Sequence, residues 1–227
     1  MLYLVYGFAL GFIIPFVSRR LGKILPATFG SIFFHLPHRP RFPRVHNPLQ
    51  HNTFRKKWQT LLLYSIFVGI TTSFLFFIAH TYLPGYIFPY AAAFISFIVA
   101  SADVDSRYCI LPDCLTIPLL LLGFLFSVQT KLLSPLQSVN GALFALIVVT
   151  SAVFALSFFK KTLFGGGDSK MLIALGAWLG IQGINYTIFT SFFLFVLYGF
   201  FMKNKSGPYG PALGLAGLFT FFVLYIK

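Results

Sequence analysis

Acidic residues are almost absent from this sequence. Its 227 residues include 17 lysines and arginines but four acidic residues, none of them glutamate. Charged residues make up 9% of the chain and hydrophobic residues 58%, whereas soluble domains average about 25% charged residues. This composition excludes an ordinary soluble domain and predicts an integral membrane protein that keeps its few carboxylates for a specific role. They are Asp103, Asp105, Asp113 and Asp168.

Cysteine is equally scarce, and its scarcity excludes a common class of metal site. Cys109 and Cys114 are the only cysteines, whereas a structural zinc site takes four cysteine or histidine ligands. The pair therefore predicts neither a metal site nor a structural disulfide. Four histidines lie among prolines in one basic segment, which argues against a helical pair of ligands and favours solvated loop residues. They are His35, His38, His46 and His51.

Long apolar runs, in contrast, fill most of the chain. About 20 apolar residues suffice for a helix to cross a hydrocarbon core of about 30 Å. We predict an all-α fold, a polytopic transmembrane helix bundle of about eight spans surrounded by membrane lipids. The fourth and sixth spans are short, so one of them is expected to be tilted or partly re-entrant. The spans cover residues 2–17, 60–79, 86–102, 115–128, 139–159, 171–181, 186–202 and 209–226.

The basic residues sort to one side of these spans. If the N-terminus faces outward, one set of connections holds every lysine and arginine except Lys131 and Lys227. Such an excess assigns the richer side to the cytoplasm. The formal net charge of +13 then reflects topology, and no separate basic domain with aromatic platforms indicates nucleic-acid binding.

The same topology places all four aspartates on the cytoplasmic side. Asp103, Asp105 and Asp113 lie between the third and fourth spans, and Asp168 lies between the fifth and sixth. Two separate segments thus bring carboxylates to the membrane boundary, as an active site with two carboxylates requires. Ionisable groups near membrane depth are costly to desolvate and usually serve a function.

Pro112 divides the first of these segments. It ends the third helix near Leu111, so Asp113 is expected to be the N-cap of the fourth helix. Asp103 and Asp105 are two residues apart and cannot share a helical face. One of them is therefore expected to face the site, and the other water or Arg107.

The second segment is Gly165-Gly166-Gly167-Asp168. Glycines without a Cβ allow close approach of a peptide or a helix and permit positive φ before a helix begins. The lysine-serine signature of a phosphate-binding loop is missing. The remaining alternative is a flexible connector in which Asp168 caps the sixth helix.

Together these motifs resemble the type IV prepilin leader peptidases, membrane aspartyl proteases of the GxGD class related to preflagellin peptidases and presenilins. Asp105, followed seven residues later by Pro112-Asp113 and then by Leu115-Thr116, resembles the first family signature. Residues 165–180 resemble the second signature, and Pro208-Tyr209-Gly210-Pro211 resembles the opening of the last helix. Order, spacing and topology agree over about residues 90 to 227.

The resemblance implies an endopeptidase in which Asp105 and Asp168 are the catalytic pair. Asp103 is the alternative candidate for the role of Asp105. It implies that Gly165, Gly166 and Gly167 let the substrate backbone approach. Two close carboxylates share a proton and act as base and acid on water and on the scissile carbonyl, and Arg107 and Lys170 are candidates to tune them. The implied substrates are pilin-like precursors with a short basic leader, cut at the cytoplasmic face of the bacterial inner membrane.

The N-terminal third departs from the family pattern. Residues 1–58 are expected to form the first transmembrane helix and a basic, proline-rich cytoplasmic loop, and residues 59–227 the membrane-embedded protease domain. Many relatives carry two CxxC pairs in that loop and also N-methylate the new N-terminus with S-adenosylmethionine. This chain lacks the four cysteines, which leaves methylation open, whereas proteolysis needs no cofactor. The alternative function is a non-enzymatic transporter or pilus-assembly protein whose aspartates bind protons or cations.

Overall fold

A computed structural model describes residues 2–33, 54–158, 165–202 and 207–226. Every regular element in these ranges is an α-helix, and six helices are long and apolar enough to cross a membrane. The chain is therefore a multi-pass helix bundle, as the composition predicts. The helices are α1 (Leu2–Phe33), α2 (Phe54–Tyr82), α3 (Phe88–Tyr108), α4 (Asp113–Thr130), α5 (Pro135–Phe158), α6 (Gly166–Met202) and α7 (Gly210–Tyr225).

Helix α1 runs parallel to α3 at a constant offset. The ring of Tyr3 lies 6.4 Å from that of Phe88, and fifteen residues later in each helix Ser18 donates a hydrogen bond to Asp103. Each helix advances about 1.5 Å per residue, so the two remain side by side over most of the membrane. The first helix is therefore packed against the helix that carries Asp105.

Helix α6 folds back on itself at Gly180, where φ is 65° and ψ is −175°. Before this break, Tyr225 donates a hydrogen bond to the carbonyl of Trp178 over 2.7 Å. After it, Ser191 lies 2.6 Å from the hydroxyl of Tyr209, at the opposite end of α7. Residues 166–179 and 181–202 thus run in opposite directions along α7. A left-handed φ without a Cβ penalty is what glycine provides here.

Four large aromatic residues from α3, α4, α6 and α7 form the centre of the bundle. Trp178 lies 4.8 Å from Phe94 and 5.0 Å from Phe126 between ring centroids, and Phe221 lies 4.6 Å from Phe94. Trp178 also donates from its indole N–H to the carbonyl of Leu119 over 2.7 Å. This cluster joins the helices that lie beneath the two aspartate segments.

The sequence predicted the spans well but misplaced several ends. The predicted sixth and seventh spans are the two halves of α6, so the eight predicted spans correspond to the seven helices of the described ranges. Helix α1 continues to Phe33, whereas the basic loop was expected to begin at Ser18. The expected role of the four loop histidines concerns residues outside the described ranges.

A pair of glycines sets the distance between α5 and α6. A Cβ on Gly141 would meet the carbonyl oxygen of Gly176 and the Cα of Gly180, the latter at 2.7 Å. Small residues of this kind allow transmembrane helices to pack closely through backbone contacts. The contact fixes the first half of α6, which carries Asp168 in its first turn.

We expect Gly141→Ala to destabilise the protein by about 1–3 kcal/mol, the range that overpacking costs in a tight core. The measurement is the unfolding of the purified protein in detergent. Gly199→Ala is the matched control, because a Cβ there meets no atom within 4 Å. Equal effects of the two substitutions would contradict the close packing of α5 on α6.

Candidate active site

Asp105 lies in the last turn of α3 and is turned toward the beginning of α7. Its side chain is buried and accepts a hydrogen bond of 2.8 Å from the backbone N–H of Gly210. A Cβ on Gly210 would lie 2.7 Å from the Asp105 Oδ2 atom, so glycine alone allows this approach. The first N–H groups of a helix have no partner within it and carry partial positive charge. The start of α7 therefore holds and orients the Asp105 carboxylate.

Asp168 lies in the first turn of α6, immediately after the three glycines. A Cβ on Gly167 would lie 2.6 Å from the Leu111 Cβ and 3.0 Å from the Leu111 carbonyl oxygen. The beginning of α6 therefore packs directly on the α3–α4 connection. The backbone of Gly165 hydrogen-bonds to the Asp168 carboxylate, which closes the first turn and limits the directions in which the carboxylate can point.

Cys109 lies close enough to Asp105 and Asp168 for the charges of both to act on it. It ends α3 with φ 51° and donates its backbone N–H to the Asp105 carbonyl oxygen. Partial desolvation, together with the charges of Asp105 and Asp168, raises the pKa of the Cys109 thiol. Because the charges of both carboxylates act on this one thiol, the two carboxylates lie at the same end of the bundle. The structure thus brings Asp105 and Asp168 together with Gly167 and Gly210.

Asp103 is directed away from this site, toward α1 and α2. Its carboxylate accepts hydrogen bonds from Ser18 and, over 2.7 Å, from Tyr64. Arg107 forms an ion pair with the same carboxylate at 3.0 Å, and its guanidinium lies 4.5 Å from the centre of the Tyr64 ring. Asp103 and Asp105 therefore occupy different faces of α3, as their spacing predicted, and Asp103 connects α3 to the first two helices.

Lys170 and Asp113 form the second ion pair in the described part of the chain. The Lys170 ammonium lies 2.6 Å from Asp113 Oδ1, and both side chains are about half exposed. Arg107 and Lys170, the two candidates for tuning the aspartates, are thus each paired with another carboxylate. The expectation that Asp113 is an N-cap was wrong: Pro112 occupies that position and Asp113 is the first residue of α4. Its charge still lies favourably near the helix N-terminus.

The contact between Gly210 and Asp105 was not predicted from the sequence. Residues 208–211 were noted for their resemblance to a family motif, but the two partners are 105 residues apart, and no local pattern links them. A run of proline and glycine at the start of an apolar helix was the available signal. It indicates a helix N-terminus whose N–H groups another chain segment can approach.

The arrangement suits proton transfer between two carboxylates and a water molecule. Asp105 is buried and Asp168 is half-buried, and ionising two carboxylates that lie close together is costly. Among the described residues no group of three or more histidine, cysteine and acidic side chains lies together as a metal site would require. The two carboxylates themselves can support acid–base catalysis.

Comparison with known proteins identifies relatives over the same region. Residues 90–200 match the type IV leader peptidase family. A protein of Neisseria gonorrhoeae named prepilin leader peptidase/N-methyltransferase is 38% identical over 125 residues, which cover 52% of this chain and 42% of that protein. Proteins of the same name from Xanthomonas campestris pv. campestris and Aeromonas hydrophila are 33% and 34% identical, over 56% and 53% of this chain and 47% and 44% of their own lengths.

These matches cover less than half the length of each of the three relatives. No solved structure matches the chain. The matched region contains both aspartate segments. It lends no support to the alternative of a non-enzymatic transporter.

The Cys109 thiol offers a test of the site geometry that does not depend on activity. In a Cys114→Ser background, we expect Asp105→Asn and Asp168→Asn each to lower the pKa of Cys109, because each removes a negative charge that disfavours the thiolate. Its alkylation should then reach half its maximal rate at a lower pH. The measurement is the rate of iodoacetamide labelling against pH.

Asp113→Asn is the matched control, because its charge is not among those that act on Cys109. An unchanged labelling profile in Asp168→Asn would show that Asp168 is remote from the end of α3 and would contradict the shared site.

Proposed function

We propose that this chain, which belongs to the type IV leader peptidase family through residues 90–200, is a prepilin leader peptidase. It removes a short basic leader from pilin-like precursors by an aspartyl mechanism. The observation that carries the proposal is the contact of Gly167 with Leu111, which places Asp168 against the segment that follows Asp105. The names of the relatives indicate the substrate class, which is prepilins.

Asp105 and Asp168 are the catalytic pair in this proposal. One carboxylate is ionised and takes a proton from water while the water oxygen attacks the scissile carbonyl carbon. The other is protonated and donates a hydrogen bond to the carbonyl oxygen. When the tetrahedral intermediate collapses, the C–N bond breaks and the leaving nitrogen takes the proton that the first carboxylate removed from water. The pair thereby returns to one ionised and one protonated carboxylate, and no serine or cysteine nucleophile takes part.

The groups around Asp105 and Asp168 support these roles. The Gly210 N–H holds one oxygen of Asp105, which leaves the other oxygen for water or substrate. Gly166 has open space where a Cβ would lie and is exposed. An extended peptide can therefore pass beside the first turn of α6, as it must, because a helical substrate hides its peptide carbonyls in hydrogen bonds.

We place this site at the cytoplasmic face of the bacterial inner membrane. The basic residues that flank the aspartate segments favour that orientation by the positive-inside rule. A precursor would present its basic leader on this side while its apolar helix remains in the bilayer. Cleavage would then take place where the leader meets the membrane.

N-methylation, which the relatives' names include, does not belong to this proposal. S-adenosylmethionine would supply the methyl group, and its ribose hydroxyls and amino group are commonly bound by carboxylates. In the described ranges, the two carboxylates away from the catalytic pair are each bound to a cation, Asp103 to Arg107 and Asp113 to Lys170. The described residues outside the catalytic pair therefore offer this cofactor no carboxylate that is not already paired with a cation.

Substitution of either aspartate tests the peptidase proposal. We expect Asp105→Asn and Asp168→Asn each to lower precursor cleavage at least about 10²-fold, the smallest contribution expected of a general acid or base. The measurement is the fraction of precursor processed in membranes at equal enzyme levels. Asp113→Asn is the control and should retain most activity, because half-exposed ion pairs contribute little. Near-normal cleavage by either catalytic variant would contradict the assignment.

The mass of the mature pilin N-terminus tests whether this chain also N-methylates its product, which the sequence leaves open. We expect the processed product to carry an unmodified amino group when this chain is the only peptidase present and S-adenosylmethionine is supplied. Mass spectrometry of the N-terminal peptide measures it. A methylated product made by the wild-type chain but not in the absence of S-adenosylmethionine would show that the chain binds this cofactor.

A further inference from the structure

An apolar groove runs along the bundle between α1 and α3 and reaches the start of α4. It is distinct from the catalytic pair and has a volume of about 220 Å³. Sites for small-molecule ligands usually measure about 300–1,000 Å³, so this groove suits a few side chains better than a whole ligand. It is lined by Leu10, Ile13, Ile14, Val17, Ser18, Leu21, Ser96, Phe97, Ala100, Val104 and Leu115.

The groove is lined by large side chains from α1 and by both small and large side chains from α3, namely Ser96, Phe97, Ala100 and Val104. Leu10, Ile13 and Val17 of α1 are 45%, 51% and 47% exposed and follow one another at helical spacing. Opposite them, α3 contributes Ser96 and Ala100. Small residues among larger ones let the side chains of another helix enter, which is how transmembrane helices pack. The groove therefore has the form of a helix-packing surface that lacks its helix.

Its length and direction also fit a helix that lies across the membrane. From Leu10 to Leu21 the groove extends about 16 Å, or three turns of α1. Because α1 and α3 are parallel at a constant offset, the groove runs along both of them toward the end of α3 that carries Asp105.

The groove ends beside the catalytic segment. Val104 and Leu115 are its last lining residues on α3 and α4, and they bracket the stretch that contains Asp105 and Leu111. A helix seated here would leave the groove at the chain segment on which Gly167 packs. The residues joined to that end of the helix would lie next to the two aspartates.

We infer that this groove binds the apolar transmembrane helix of the precursor and delivers the leader junction to Asp105 and Asp168. The inference rests on the proposed peptidase function and adds the route by which its substrate is held. The occupant is an apolar helix, since the groove carries two serine hydroxyls and no charged side chain among its lining residues. Ser18, one of those two, already donates to Asp103.

A second groove, between α5 and α6, is a less suitable surface. It is larger, about 450 Å³, and ends at Ser169. Apart from Ser169 at that end, its lining has no alanine, serine or glycine that would let a helix backbone approach. The other lining residues are Leu146, Val149, Thr150, Val153, Phe154 and Ile173. It provides a matched control on the same molecule.

Filling each groove with tryptophan compares the two surfaces. We expect Ala100→Trp to raise KM for a membrane-embedded precursor about tenfold or more, the scale of losing a few apolar contacts, with kcat nearly unchanged because the aspartates are untouched. Val153→Trp should leave both constants near wild type. Normal KM in Ala100→Trp, or equal effects of the two variants, would overturn the inference while leaving the peptidase proposal intact.

Photo-crosslinking gives a second measurement that needs neither cleavage nor a buried substitution. A benzophenone side chain replaces Ile13 or, as control, Val153, in full-length Asp105→Asn protein in membranes containing a precursor with an apolar helix. We expect a covalent adduct with the apolar segment of the precursor from position 13 and none from position 153. Adducts only with lipid or with a second copy of this chain, or precursor adducts from position 153 instead, would overturn the inference even if wild-type protein cleaves no precursor.

Discussion

The contact between Gly167 and Leu111 is the constraint on which the site depends. Asp105 and Asp168 come from segments separated by two membrane crossings, and nothing local holds them together. Their proximity requires the beginning of α6 to lie against the α3–α4 connection with no Cβ between them. The glycine pair between α5 and α6 and the aromatic cluster around Trp178 hold α6 in the position that this contact needs.

Asp103 and Asp105 have different surroundings because residues two apart in a helix lie on different faces of it. Asp103 is neutralised by Arg107 and bound by Ser18 and Tyr64, so its charge is satisfied and it joins the first two helices to the rest. Asp105 accepts one hydrogen bond from the backbone N–H of Gly210, and neither ion pair in the described part of the chain includes it. Desolvation without a counter-charge keeps a carboxylate able to exchange a proton.

Much of the fold could be predicted from the sequence, because a bilayer forces apolar segments into helices and basic residues to one side. Helical geometry alone predicted that Asp103 and Asp105 lie on different faces of α3. The hydrogen-bond partners of these two aspartates could not be predicted, because Ser18, Tyr64 and Gly210 come from distant parts of the chain. The fold-back at Gly180 lies just inside the predicted end of the sixth span, because one glycine in an apolar run does not reveal a left-handed φ.

The brevity of the first half of α6 has a consequence for the membrane itself. Residues 166–179 extend about 21 Å as a helix, whereas the hydrocarbon core is about 30 Å thick. Most side chains of residues 171–180 are buried inside the bundle, so protein and not lipid surrounds this short helix. A helix that is shorter than the core is thick allows its Asp168 end to lie deeper than the ends of the longer helices around it. In the proposed peptidase, the bond that is hydrolysed would then lie below the average level of the lipid headgroups.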